Sequence, residues 1–151
     1  MSNKLILILL MFFLSHCGYS SIYSNENLKD ISINITDIQG DKDINKVIER
    51  RLERYKKNQS ANEFNIKIKS NYSKIITAKD ATGNATNYRL NLSVNFIIEK
   101  SGKVTNVKIN KNFIMSKIDD ILEEKKYEVT IKDNLINSVT EEMIRKLLTI
   151  K

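Results

Sequence analysis

Proline is absent from this chain of 151 residues, so no stretch reads as a stiff proline-rich linker. There is one cysteine, which excludes an internal disulfide. Histidine also occurs once, as His16, at the end of an N-terminal apolar run. If that run is removed as a leader, the remaining domain has no imidazole and, with its cysteine modified, no free thiol. Ser/His/Asp and Cys/His catalysis and most zinc sites are then excluded. The four glycines, Gly18, Gly40, Gly83 and Gly102, stand too far apart for a dinucleotide-binding or phosphate-binding glycine loop. The expectation is a protein that is not an enzyme and takes no cofactor or metal.

What is present begins with Lys4 and the unbroken apolar run 5–14. A membrane span needs roughly 20 apolar residues; this run is too short and fits the apolar region of a signal peptide. Leu14-Ser15-His16-Cys17 follows directly. It resembles a lipobox, in which the leader is cut before a cysteine whose sulfur carries diacylglycerol; His16 stands where that pattern has a small residue. An ordinary secretory leader with an incidental cysteine is the other reading. The division expected is a lipoprotein signal peptide over 1–16, a lipidated N-terminus and tether over 17–29, and one domain over 30–151. Removing Lys4 from the 25 basic residues leaves 24 against 18 acidic ones, a formal +6. A basic exported domain suits an acidic partner such as anionic lipid or a phosphorylated glycan, and export removes it from nucleic acid.

Hydrophobic periodicity organises the rest. Ile31, Ile33 and Ile35 alternate with polar residues, as in a strand with one buried face. Gly40-Asp41 breaks the pattern, with Asp41 as helix N-cap. Ile44, Val47, Ile48, Leu52 and Tyr55 then recur at helical spacing, and the helix is expected to run out at Lys56-Lys57-Asn58, where positive charge suits its C-terminus. Phe64, Ile66 and Ile68 open a second strand whose extended pattern continues through Tyr72 to Ile76. Asp80–Asn84 has the residues of a loop. Tyr88, Leu90, Leu92, Val94, Phe96 and Ile98 give the clearest alternation, with Ile97 the one apolar residue in the opposite phase. Lys100-Ser101-Gly102-Lys103 reads as a hairpin turn, and Val107 and Ile109 mark a fourth strand. From about Ser116 the period is helical again over Ile118, Ile121, Leu122, Val129, Ile136, Val139, Met143, Leu147 and Ile150. Lys125 and Lys132 interrupt that stripe, which leaves a bend or two shorter helices open. The fold class is α+β, in the order β-α-β-β-β-α. Two helices pack on one face of a four-stranded mixed or antiparallel sheet, the first helix being able to form a parallel crossover.

With these features the chain resembles the LptE family of lipopolysaccharide-assembly lipoproteins. The resemblance rests on Cys17-Gly18-Tyr19-Ser20-Ser21-Ile22-Tyr23, on the element order, on Thr86-Asn87-Tyr88-Arg89-Leu90 before a long strand, and on the C-terminal helix from Tyr127 to Leu148. It implies a non-enzymatic protein at the periplasmic face of the outer membrane. There the family plugs the β-barrel LptD, binds lipopolysaccharide and helps deliver it to the outer leaflet. A different small outer-membrane accessory lipoprotein, with no lipopolysaccharide contact, is the competing reading.

Two groups of side chains remain. The carboxylates Asp119-Asp120 and Glu123-Glu124, beside Lys125 and Lys126, read as a solvated helix face. Five Asn-x-Ser/Thr sequons, at Asn34, Asn58, Asn71, Asn84 and Asn91, reflect asparagine-rich composition. The informative feature is the sheet face that helices on one side leave uncovered. The strand phases put Lys67, Lys69, Arg89 and Lys108 there among Asn65, Asn91, Ser93, Asn95, Asn110 and Asn112. These four cations are the candidate contacts for lipopolysaccharide and for the barrel, and Cys17 is the candidate lipid-attachment site. A plain wet face of a one-sided sheet is the simpler alternative.

Overall fold

A computed structural model describes residues 31–56, 60 and 62–150. Cys17, the leader and the tether lie outside the described residues, as do Lys57 and Asn58. The described order is β1 (Ile31–Gln39), α1 (Lys42–Leu52), β2 (Asn62–Lys79), β3 (Ala85–Lys100), β4 (Lys103–Ser116) and α2 (Ile121–Leu147). The strands form one sheet in the order β1-β2-β3-β4. β1 and β2 are parallel, joined by α1, and β2-β3-β4 is an antiparallel meander. The fold is the α+β arrangement expected from the sequence.

Local chemistry sets each boundary. Asp41 Oδ1 accepts from the backbone N–H groups of Asp43 and Ile44, both at 3.0 Å, and so satisfies donors that have no partner within the helix. Ile44, Ile48 and Leu52 are buried, and Val47 and Tyr55 pack at the margin. α1 stops at Leu52 and passes into a single 3-10 turn, Glu53–Tyr55, one turn short of the expected end. The loop after β2 is organised by Asp80, whose Oδ1 accepts from Thr82 N, Thr82 Oγ and Asn84 N at 2.9, 2.7 and 2.9 Å. The β3–β4 hairpin closes through Ser101 and Gly102, both at positive φ (51° and 79°), as a tight two-residue turn that follows strand twist requires.

The core lies between the sheet and the helices. Phe64, Ile66, Ile68, Leu90, Leu92, Val94, Phe96, Ile98, Val107 and Ile109 supply the sheet side. Ile44, Ile48 and Leu52 from α1 and Ile131 to Leu147 from α2 supply the other. Each such aliphatic residue contributes about 1.5–3 kcal/mol on burial, which outweighs the propensity of any one position. α2 is one continuous helix, so Lys125 and Lys132 do not divide it. It begins at Ile121, capped by Asp120, which leaves Ile118 in the preceding loop.

The strands differ in length, and this divides the molecule in two. β1 pairs with β2 only from Ile31↔Asn62 to Gln39↔Lys69. There the chain turns away at Gly40, whose backbone lies against the Ser70 carbonyl. Ser70 Oγ donates to Asn45 Oδ1 at 2.6 Å and accepts from Asp41 N at 3.1 Å, which fixes the exit. Among the described residues, the half near the hairpin has four strands and two helices, and the half near the Asp80 loop has three strands and the first turns of α2.

Candidate functional site

All four candidate cations lie on the sheet face opposite the helices, in cross-strand rows. Lys67 sits in register with Ile97 and Asn106, Lys69 with Asn95 and Lys108, Asn71 with Ser93 and Asn110, and Ser73 with Asn91 and Asn112. Arg89 lies between Ile75 and Ile114 at the far end. Neighbouring strands are about 4.8 Å apart, so the Lys69 and Lys108 backbones are about 10 Å apart across Asn95. Lys67 is one step of about 7 Å along β2 from Lys69. These three lysines form one group. Arg89 is six residues along β3 from Asn95, about 20 Å away, so it shares the face without sharing the cluster.

Lys69, Asn71, Ser93, Asn95, Asn106 and Lys108 line a shallow open hollow of about 690 Å³. Its floor is amide and hydroxyl, and its sides carry two ammonium groups. Asn91 Nδ2 donates to Ser73 Oγ at 3.3 Å in the next part of the face, an example of how these polar side chains interlock. Among the described residues Lys67, Lys69, Arg89 and Lys108 make no ion pair. Asp37 stands opposite Lys67 in register and tempers the charge at that corner. Free cations about 10 Å apart over amide donors can take phosphate oxygens and sugar hydroxyls together. Arg89, bordered by the exposed Ile75 and Ile114, offers a cation inside an apolar margin, which suits an amphiphile.

A second cluster lies on the helix side of the sheet, and here the sequence reading is corrected. Glu124 is not on a solvated face. It turns inward with Glu128 onto Lys74, whose Nζ donates to Glu124 Oε1 at 2.8 Å and Glu128 Oε2 at 3.0 Å. Tyr72 Oη donates to Glu128 Oε1 at 2.9 Å, and Lys132 pairs with the same oxygen at 3.1 Å. Lys74 Nζ lies 4.1 Å from the centre of the Tyr88 ring and Lys132 Nζ 4.3 Å from that of Tyr72, close enough for cation–π attraction. Asp120, read as part of the same charged face, is the N-cap of α2, accepting from Leu122 N and Glu123 N.

The charges in this cluster reinforce one another. The Lys74 hydrogen bond holds Glu124 below the usual carboxylate range. Burial opposes ionisation of Glu128, but hydrogen bonds from Lys74, Tyr72 and Lys132 outweigh it and lower its pKa. Burial likewise opposes charge on Lys74, and its two carboxylate partners overcome that and raise it. Burial and the Glu128 carboxylate push Tyr72 well above an ordinary phenol. Every charge is matched, so the cluster is a clasp holding the first turns of α2 to β2. The signal for it was present in the sequence. Tyr72 and Lys74 continue the core-facing phase of Phe64, Ile66 and Ile68, and Glu124 and Glu128 continue the helix line of Ile131 and Leu135.

No protein-family model and no curated protein matches the sequence. Solved structures do. Rare lipoprotein B from Shewanella oneidensis aligns with a TM-score of 0.58 at 17% identity, over 79% of this chain and 93% of that one. An uncharacterized lipoprotein B from Nitrosomonas europaea aligns at 0.54 and 13% identity, over 76% and 79%. A minor lipoprotein from Acinetobacter baumannii aligns at 0.52 and 14%, over 79% and 91%. At these identities the likeness is one of fold, and the fold is that of known bacterial lipoproteins.

Proposed function

We propose that the protein is an outer-membrane lipoprotein, anchored through Cys17 and facing the periplasm. In this reading it plugs and supports an LptD-like β-barrel and helps deliver lipopolysaccharide to the outer leaflet. It acts by binding and carries out no catalysis. The observation that carries the reading is the open sheet face, polar and cationic along β2, β3 and β4, with both helices on the other side. A barrel lumen is polar, and a face rich in Asn, Ser, Lys and Arg can hydrogen-bond to such a wall. The same cations fit the phosphates of the lipid. The shared fold with lipoproteins of other bacteria and the leader ending at Cys17 support an anchored position in the envelope.

The test is binding of phosphorylated lipid by the lipidated protein and by a variant with Lys67, Lys69, Arg89 and Lys108 all changed to Gln. Exposed substitutions cost under about 0.5 kcal/mol each, so the variant remains folded. Wild-type binding falls as salt rises, and the variant binds more weakly. Because Arg89 is remote from the lysines, Arg89→Gln alone separates one contact area from two. Unchanged lipid binding in the folded variant returns the face to a plain wet surface and favours an accessory lipoprotein with no lipopolysaccharide contact.

A further inference from the structure

Among the described residues, the half of the molecule beyond Gly40 has one strand and one helix fewer than the other half. Among the described residues β2 has no neighbour beyond Lys69 on its β1 side, although the strand continues to Lys79. On the other side it stays paired with β3 to that end. The segment Asn71–Lys79 therefore presents a row of backbone N–H and C=O groups at an edge that is internal to the sheet one turn earlier. Isoleucines flank this edge on both faces, Ile75 at 45% exposure and Ile76 at 52%.

α2 shows the same interruption. Leu122, Val129, Ile136 and Met143 follow one another at intervals of seven and lie on one stripe of the helix. Ile136 and Met143 are 2% and 0% exposed, whereas Leu122 and Val129 are 61% and 58% exposed. One continuous apolar stripe is thus covered where both helices are present and bare where α1 is missing. The bare part forms a shallow groove of about 490 Å³ with Lys125, Lys126 and Thr130. The Lys74–Glu124–Glu128 clasp holds this part of α2 against β2, so the groove and the free edge belong to the same half of the molecule.

We propose that this notch receives an extended segment of a protein partner, which adds to the sheet as a strand in line with β1. The β1–β2 pairing is the interface it continues. The occupant must be a strand, because only an extended backbone pairs a row of peptide groups. A lipid surface could cover Ile76, Leu122 and Val129, but it would leave those peptide groups unpaired in an apolar medium, which is costly. A second copy paired antiparallel along this edge would bring its own Lys125 and Lys126, which lie level with Lys74, up to the same two lysines. The bound segment carries apolar residues at alternate positions, toward the helix side, and acidic residues near these lysines. The assignment rests on the barrel reading above, and the segment belongs to that barrel protein.

Amide hydrogen exchange on the full lipidated chain, alone and co-purified with a co-expressed LptD-like barrel, tests this. In the complex, the alternate amides of Asn71–Lys79 that point away from β3 slow by about tenfold or more, as newly paired groups do. Ile76→Lys weakens the complex by about tenfold, equivalent to about 1.4 kcal/mol, while Val104→Lys at the other end of the sheet does not. A complex that forms with unchanged exchange over Asn71–Lys79 overturns the strand addition and leaves the barrel reading standing. Failure of the two proteins to associate overturns both. Slow exchange over this segment in the protein alone, increasing with its concentration, assigns the edge to a second copy and also overturns the proposal.

Discussion

Changing Lys74 to Met keeps the length and apolar stem of the side chain and removes the one charge that both Glu124 and Glu128 share. Among the described residues the two carboxylates are then left together with only the Lys132 charge beside Glu128. The Lys74, Glu124 and Glu128 side chains keep 26%, 17% and 16% of their exposure, so the cluster lies between two limits. Exposed pairs contribute about 0–1 kcal/mol, and breaking a fully buried pair costs about 3–5 kcal/mol. The loss expected is therefore about 1–3 kcal/mol. For a domain of this size it lowers Tm by about 4–12 °C. The pH dependence follows from the signs. Glu124 and Glu128 are depressed in the folded state, so their contribution is present above the ordinary carboxylate range and fades as pH falls through their depressed values. Lys74 is raised, so its contribution is complete below the ordinary lysine range and is lost only as pH rises past its raised value. Urea unfolding of the wild-type and variant proteins across this range therefore gives a difference that is constant near neutrality and shrinks toward acid. Faster amide exchange confined to the first turns of α2 accompanies it. A difference under about 0.5 kcal/mol at neutral pH, the scale of an ordinary surface change, would refute the reasoning, as would one that persists undiminished in acid.

Other outcomes follow from the same structure. Gly40→Ala, at φ 106° with a Cβ placed 1.9 Å from the Ser70 carbonyl oxygen, costs about 2–4 kcal/mol in unfolding free energy, from the strained backbone and the forced shift of β2. Phe96→Ala, at a position with no exposure, costs about 3–5 kcal/mol, and the same change at Phe113, on the exposed edge of β4, costs far less. Mass spectrometry of the mature N-terminal peptide finds Cys17 as the first residue, carrying acyl chains; an unmodified Cys17 or a cut elsewhere removes the anchor from the account.

The period-two alternation of Tyr88 to Ile98 and the helical spacing of Ile44 to Leu52 each match a single buried face, so these elements were legible as they stand. The lysines of the open face were also legible, because strand phase alone assigns a side chain to one face or the other. Their grouping was not, since Arg89 is separated from Lys67, Lys69 and Lys108 only by the register of β2, β3 and β4. The clasp was missed for a physical reason. Lys74, Glu124 and Glu128 occupy core-facing positions with charges, and a pattern reading assigns charge to solvent unless it can see the partner. The continuous stripe on α2 misled in the opposite sense. Leu122 and Val129 have the spacing of buried residues, but the element that would cover them, α1, starts at Lys42 beside Ser70 and runs back toward the hairpin end.

The most direct measurement of the central claim is photocrosslinking in cells from Asn91, Asn95 and Lys108 on the open face of the anchored protein. Each side chain is replaced in turn by a light-activated crosslinker, and the captured product is identified by mass. All three positions are expected to capture an LptD-like barrel in a one-to-one adduct, with a position on the buried face of β3, such as Val94, giving none. Capture of no barrel from any of the three, in a protein that is folded and correctly anchored, contradicts the plug reading and leaves the accessory lipoprotein in its place.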